Sequence, residues 1–511
     1  SGSARLVVAA AGDLDGDGDV DGLDAAALRA GGGADVTGDG AVDVQDRLAQ
    51  NVNLGLVPNL APRIDATALS ARTHVDLPRE IDLSRLVFDA EGDGVFWRVA
   101  GVENGTARLL DGEGALLFTP DPGFAGEARV RVIADDGFNA SAEAELVVEV
   151  SDAELTALRF AEREIRLPGP GAVRLVELRG DFADEADVPL PLPWAGVETR
   201  DPDIASVSGA GALTALAQGH TLLTARRGPI ATGTVVGVGA TTMLDDVLTL
   251  LDGLDAYPDA VTLLPEGGSR RIVTRIGPAD APIYVGDAAA GTAYVVGDSR
   301  VIEVDPDGLI TAVAPGETTV TVIHGYAEET LRVQVEPAEA GRTAVIDAGG
   351  GVLRTPEGVE LGLGPGQLAA PAEISAAPLA EGALPSAVPD GFEAAAAFTF
   401  DLGGADVDGP VQLAAPVDPA VAAAGDEVWF FRSALVPTGE DGALEEIWFL
   451  IDSGTVDATG VARTSSPPFP GLDTDLDSEA YAKGDILIAK AAFPTGVRIA
   501  NIKGQIGRAH V

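Results

Sequence analysis

"VIEVDPDGLITAVAPGETTVTV" (residues 301–322) alternates apolar and polar side chains in short runs, with a glycine at each break. Alternation of period two marks strands that bury one face, and Gly, Pro or Asp between such runs marks tight turns. The passage has a counterpart upstream, "IASVSGAGALTALAQGHTLLTA" (204–225), in which Gly211 and Gly219 stand where Gly308 and Gly316 stand, 97 residues later. Each copy reads strand, Gly turn, strand, Gly turn, long alternating strand. A period near one hundred residues is one sandwich-sized domain. Working outward, "ARVRVIAD", "AELVVEV", "TVTVIHG" and "LRVQVEP" carry the same alternation from about Ala61 onward. The expected fold class is mainly β, a string of β-sandwiches.

Composition agrees and excludes several functions. At 511 residues the chain is too long for one core, and 46% hydrophobic content rules out wholesale disorder. Gly 64 and Pro 33 supply turns throughout. Against 33 basic side chains stand 80 acidic ones, a formal charge of −47. Such a surface repels nucleic acid and anionic lipid, so neither is an expected partner. It suits salt, where screening acts within about 8 Å, and divalent cations. Without cysteine there are no disulfides and no thiolate chemistry. No apolar run is long enough to span a membrane. "RLVVAAA" near the start reads as the tail of a removed signal or as an upstream strand. "IGRAHV" (506–511) resembles translated sequencing adaptor, from which the natural protein is expected to continue past about Gln505.

Helical patterning is confined to the first 55 residues and to "TTMLDDVLTLLDGLDAY" (241–257), read as a bridge between two sandwiches. The first of these regions holds the candidate chemistry. In "DLDGDGDVDGLD" (13–24), Asp13, Asp15, Asp17, Gly18, Asp19, Asp21 and Asp24 occupy positions 1, 3, 5, 6, 7, 9 and 12 of a calcium loop. Ca²⁺ takes six to eight hard oxygens at about 2.3–2.6 Å; alternate residues of a tight loop turn inward, and a glycine allows the bend. Asp13, Asp15 and Asp17 are expected to give carboxylates, Asp19 its backbone carbonyl, Asp21 a water-mediated contact and Asp24 a bidentate closure. Asp35, Thr37, Asp39, Gly40, Ala41, Asp43 and Asp46 repeat the register. Ala41 serves through its carbonyl, and Thr37 in place of a carboxylate makes this the weaker site. Val20 and Val42, both at position 8, are expected to bridge the loops. Two Ca²⁺ ions are the expected cofactors. Like charges about 4 Å apart cost roughly 4 kcal/mol per pair at an effective dielectric of 20, so binding energy becomes folding energy.

Several resemblances follow from these stretches. The paired loops, each with a short exiting helix ("DAAALRA", "DRLAQNV"), resemble the dockerin module, which implies two bound calcium ions and docking onto a cohesin domain. The 22-residue repeat spacing is short for that family. Gly22–Leu23 and Val44–Gln45 stand where many dockerins carry hydroxyl pairs for partner recognition. "DGLITAVAPGETTVTV" resembles the bacterial Ig-like group 2 domain of intimin- and invasin-type proteins. "NLAPRID", "FDAEGDGVFWRV" and "FTPDPGFAG" resemble the bacterial cadherin-like repeat. "GGGVLRTPEGVELGLGPGQLAAPAEISAAPL" looks like the β-domain shared by zonula occludens proteins, netrin receptors and ankyrins, extended by the aromatic-rich strands of 427–454. The expected organisation is 1–58 dockerin-like, 59–151 cadherin-like, 152–240 and 258–337 Ig-like, 241–257 a helical linker, 338–490 β-rich, 491–505 a further domain or linker, and 506–511 adaptor.

Other motifs are weighed against simpler readings. Asp89, Glu91, Asp93 and Asp135–Asp136 either bind calcium at a domain junction or make Asp-Gly turns. "RGD" (179–181) follows a strand-like run, and a three-residue match is cheap. His74, His220, His324 and His510 fall in separate segments with no ligand companion at helical spacing. No nucleophile elbow, zinc helix, P-loop or dinucleotide motif occurs, nor the His-x-Ser site at which some relatives of the last β-domain cleave themselves. "ARTSSPPFPG" (462–471) reads as an ordered loop. The expectation is a non-enzymatic, extracellular or cell-surface bacterial calcium-binding protein for adhesion or scaffolding. Its expected partners are a cohesin-like domain, neighbouring surface proteins or a cell-surface carbohydrate. The alternatives are the non-catalytic part of a cohesin-docked carbohydrate-active enzyme, or a structural stalk.

Overall fold

The computed structural model describes residues 10–30, 35–56, 59–65, 67, 69–110, 114–265, 267–278, 281–408, 411–437, 444–464 and 483–492. The Pro-rich stretch beyond Thr464 and the last six residues lie outside them. The chain forms two units, one ending at Ala153 and the other beginning at Glu154.

In the first unit, helices α1 (Gly22–Arg29) and α2 (Val44–Asn53) each follow an acidic loop. The sandwich after them packs a four-stranded sheet (Ser70–His74, Ala144–Ser151, Gly126–Asp135, Phe96–Glu103) on a three-stranded one (Arg79–Asp82, Ala115–Pro120, Gly105–Leu109). Ser70–His74 runs parallel to Ala144–Ser151, and the other two pairs of that sheet are antiparallel. Alternation decides the inner face: Ala128, Val130, Val132 and Ala134 of one strand are fully buried, beside Trp97 of the neighbouring strand and with Leu116 and Phe118 of the other sheet opposite. Full burial of a Val, Leu or Phe side chain such as these contributes about 1.5–3 kcal/mol.

The second unit contains the repeat seen in sequence. Each copy has ten strands in three sheets of identical order, so that Gly196–Thr199, Ala205–Val207, Ala212–Ala215, Gly219–Arg227 and Ile230–Val238 recur as Ala293–Val296, Ile302–Val304, Leu309–Ala312, Gly316–His324 and Ala327–Val335. The matched glycines share conformation: φ is +86° at Gly211 and +83° at Gly308, +138° at Gly219 and +154° at Gly316. A Cβ at Gly316 would stand 2.9 Å from Val301 Cγ2, so space as well as φ requires glycine there.

Two expectations need correction. The helix predicted over 241–257 is α3 (Leu244–Leu251) alone. Gly253, at φ +80°, follows its C-cap, and Leu254–Tyr257 form the first strand of the second copy, antiparallel to Val273–Ile276. Nor do the two Ig-like copies hang as beads on a string. Leu222 and Val235 of the first share a buried cluster with Ala293 and Ile323 of the second. Val235 N donates to Glu328 Oε2 (2.8 Å), Ala231 N to Gly297 O (2.9 Å), and Arg163 pairs with Glu328. The physical reason lies in "IATGTVVGV" (230–238), a strand buried at every residue. Its small outer side chains let the second copy approach: a Cβ on Gly233 would meet Val295 Cγ2 at 2.8 Å.

The last region folds as one eleven-stranded, almost wholly antiparallel sheet. Its terminal strands, Glu339–Ala340 and Thr343–Ile346, are close in the chain. The aromatic-rich stretch read from sequence as strands forms Glu427–Pro437 and Leu444–Val456, which pair with each other. Phe430 enters the main core, while Trp429 and Phe431 bury against Leu487 and Ala489 on the opposite face.

Candidate metal centre

Both acidic loops are built on the same backbone scaffold. Asp13, at position 1, accepts from Gly16 N (2.7 Å) and Gly18 N (3.1 Å); Asp35 accepts from Asp39 N (3.0 Å) and Gly40 N (2.6 Å). Position 9 caps the exiting helix: Leu23 N donates to Asp21 (2.6 Å) and Gln45 N to Asp43 (2.7 Å). Position 12 reaches back, Asp24 accepting from Asp21 N (2.8 Å) and Leu14 N (2.6 Å), Asp46 from Asp43 N (2.6 Å) and Thr37 N (3.0 Å). These are capping boxes with aspartate in the third helical position. The sharp bends fall on Gly16, Gly18, Gly38 and Gly40, all at positive φ.

Asp24 and Asp46 are fully buried. Backbone N–H donors, those of Asp21 and Leu14 and those of Asp43 and Thr37, hold both carboxyls below the usual carboxylate range. Asp15 and Asp19 move the other way, raised by loss of solvent and by neighbouring carboxylates, Asp17 foremost among them.

In the first loop the carboxylates converge. Asp13, Asp15 and Asp17 bring oxygens within 4.8 Å of one another, and so do Asp17, Asp19 and Asp24. Asp19 Oδ1 is buried with no hydrogen-bond partner. The donor set is therefore all hard oxygen, with one orphaned atom that a cation would satisfy. Asp19 sits in this cluster through its side chain, where the sequence suggested only its carbonyl. The second loop differs at position 3: Thr37 Oγ1 donates to Asp46 Oδ1 (3.1 Å), tying up the closing carboxylate. Among the described residues, the groups of three acids that close on one point all lie in the first loop.

The expected bridge between Val20 and Val42 does not form. Val20 N donates to Leu56 O (2.9 Å) and Gly55 N to Val20 O (2.8 Å), while Val42 is exposed. Helix α2 carries the chain back past the first loop, so residues 55–56 supply the ladder. Gln50 completes this small core, donating to Gly12 O (3.2 Å).

Among the other candidates, Asp89 accepts from Glu91 N (3.2 Å) and Asp93 N (2.9 Å), and Asp136 from Phe138 N and Asn139 N (both 2.7 Å), as in Asp turns. Asp136 Oδ2 also accepts from Asn59 Nδ2 (2.7 Å) and Glu91 from Leu60 N (3.3 Å), while Asp89 Oδ2 is buried with no hydrogen-bond partner. The RGD tripeptide lies inside strand Leu178–Phe182, with Arg179 paired to Asp187 (2.9 Å) and Asp181 to Arg159 (2.6 Å).

Sequence reasoning missed that His220 and His324 meet at one seam. His220 Nδ1 lies 3.3 Å from Asp246 Oδ1 on α3, and its ring packs edge-on to Tyr326, 5.4 Å between centroids. His324 is buried, with Nδ1 2.9 Å from Thr292 Oγ1. Thr292 donates its own proton to Val285 O, so His324 Nδ1 carries the hydrogen. Burial lowers the His324 pKa; Asp245 and Asp246 oppose this and His220 adds to it. The neutral ring is then the folded form. Stability is complete above the unfolded value of about 6.5 and falls as pH drops through it. Thermal melts at pH 7.5 and 5.5 should show a larger loss for the wild type than for His324→Asn; equal losses would contradict this.

Residues 59–149 match the family described as Bacterial Ig domain. No curated protein matches the chain in sequence. Among solved structures, human protocadherin-24 EC1-2 aligns at 12% identity over 36% of this chain and 99% of its own (TM-score 0.18). The surface layer protein SbsC, domains 1–6, aligns at 14% over 68% and 50% (0.17), so the chain spans about half of that fragment. Drosophila N-cadherin EC1-4 aligns at 12% over 56% and 77% (0.16). Likeness of this order carries no functional information. What the comparisons establish is an Ig-like β domain at residues 59–149.

Proposed function

We propose that this is an extracellular or cell-surface bacterial protein in which tandem Ig-like sandwiches form a display or adhesion scaffold headed by a dockerin-like module with two Ca²⁺ sites. The first site uses Asp13, Asp15, Asp17, Asp19, Asp21 and Asp24; the second uses Asp35, Thr37, Asp39, the Ala41 carbonyl, Asp43 and Asp46. The observation that carries the reading is the duplicated loop scaffold with its buried position-12 aspartates. Hard carboxylate oxygens, no thiolate and no imidazole select a calcium-class ion over a transition metal.

Asp17 belongs to both carboxylate triads. Isothermal titration of Ca²⁺ into the full chain should give two sites. Asp17→Ala should remove the tighter or weaken it at least tenfold, about 1.4 kcal/mol. Two unchanged sites in that variant would sink the assigned register.

Calcium-dependent docking onto a cohesin-like or neighbouring surface protein is supported by exposed apolar side chains. Val44, Leu48 and Val52, four residues apart on one face of α2, stand open to solvent with Leu23 of α1. Such a face favours an apolar contact where hydroxyl pairs are absent. The cadherin-like, intimin-type and zonula-occludens-type assignments belong to the same proposal.

A further inference from the structure

We propose that one end of the sandwich in the first unit, marked by Phe88, Phe96 and Phe138, is a docking surface for an arginine- or lysine-bearing segment of another protein. Exposure gives the first reason. The three phenylalanines are 67%, 57% and 78% exposed, while every other described phenylalanine is buried or half-buried. Phenylalanine is among the residues most often found inside, and single exposed apolar groups scattered over a surface are ordinary. Three gathered at one end of one domain are not scattered.

The backbone brings them together. Phe88 closes the short strand Val87–Phe88 and Phe96 opens Phe96–Glu103, so the two flank the loop 89–95. Phe96 stands opposite Asp135 across the sheet, and its neighbour Trp97 enters the core, which turns Phe96 outward. Phe138 rides the turn that follows Asp135, closed by Asp136 N donating to Asn139 O (3.1 Å). One segment ties the loop to the turn. Asn59 Nδ2 donates to Asp136 Oδ2 and Asn139 Nδ2 to Asn59 O (both 2.7 Å), while Leu60 N donates to Glu91 (3.3 Å).

Charge complementarity selects the occupant. Asp89, Glu91, Asp93, Asp135 and Asp136 lie on these loops. Against them stand Arg98, which Asp135 already engages (2.8 Å), and Arg63 opposite Phe88. Carboxylates only accept hydrogen bonds, so the partner must donate them. The formal charge of −47 repels a second copy and any acidic partner, and attracts a basic one. Arginine or lysine answers both features of the surface. Its aliphatic stem lies along a ring, its cation is drawn to the negative ring face, and its N–H groups reach a carboxylate. A neutral sugar would stack on the rings and gain nothing from the charge.

Fluorescence anisotropy of a labelled short peptide that alternates arginine and alanine, titrated with the full calcium-loaded chain, tests this. A Kd on the order of 100 μM is expected from a few such contacts. Phe96→Ser combined with Phe138→Ser should weaken binding at least fivefold (a ratio well above the scatter of such titrations) and leave the melting temperature unchanged, because both side chains face solvent. Leu175→Ser, which alters an equally exposed apolar side chain in the other unit, should change nothing. A peptide with citrulline for arginine keeps the shape, loses the charge and should not bind. A wild type that fails to bind the arginine peptide overturns the proposal. So does a double variant that binds as well as the wild type, which would leave only general attraction to an acidic chain. A citrulline peptide as good as the arginine one also overturns it, and assigns the rings to a neutral partner.

Discussion

Chelation of calcium from the full chain is expected to lower the melting transition of the N-terminal module by at least about 20 °C while the sandwich transitions stay in place. Among the described residues of the module, the buried apolar side chains of the core are Val20 and Leu28, while Leu23, Leu48 and Val52 face solvent. A core that small stabilises a domain only marginally. Against it stands the repulsion of aspartates crowded in the first loop, two triads sharing Asp17. A cation reverses that balance. Each site filled at a hundredfold excess over Kd adds about 2.7 kcal/mol, and in a domain this small 1 kcal/mol moves the midpoint by about 4–8 °C. The backbone N–H groups that hold Asp13, Asp24, Asp35 and Asp46 fix the loop conformation that folding and metal binding would share. Calorimetry in calcium and in chelator decides the matter: an N-terminal transition that chelation fails to move removes the metal from the proposal.

Local chemistry was legible in the sequence and long-range assembly was not. The Gly211/Gly308 and Gly219/Gly316 pairs announced the repeat because a residue at positive φ leaves a glycine whatever surrounds it. The tight turns of the two acidic loops were legible for the same reason, with Gly16, Gly18, Gly38 and Gly40 all at positive φ. By contrast, Val20 bonds to Leu56, a partner that depends on where α2 delivers the chain. The side-by-side packing of the Ig-like copies did leave a signal: "IATGTVVGV" lacks the polar half of the alternation that an outward face needs. His220 and His324 come from different copies, so no spacing in one segment could pair them. Arg174 and Arg270, which pair with the matched residues Leu213 and Ile310, were hidden more subtly. The repeat runs at 97 residues, but strand Ser269–Arg271 sits one residue out of that frame. Aligned by sequence, Arg270 falls on Val173, and only the register exposes its true counterpart.

That correspondence carries the other large effect. Arg270→Met is expected to destabilise the second unit by about 3–5 kcal/mol, whereas Arg174→Met should cost no more than about 1 kcal/mol. Arg174 lies in water beside Glu162, where screening and side-chain entropy absorb most of the attraction. Arg270 and Asp452 are both essentially fully buried, where the second Ig-like copy meets the eleven-stranded domain. Removing the guanidinium takes a cation away from the buried Asp452 carboxylate, which keeps Ser453 N (2.8 Å) as a donor, and costs Thr464 O and Oγ1 a donor. The penalty arises from the charge left behind, so removing it as well should help. Arg270→Met combined with Asp452→Leu should recover at least half of the loss, because two buried apolar groups need no compensation. Guanidinium midpoints for the two single variants and the double variant measure this directly. A double variant as damaged as the two singles added together would mean that the groups act independently, and that packing rather than paired charge holds the seam.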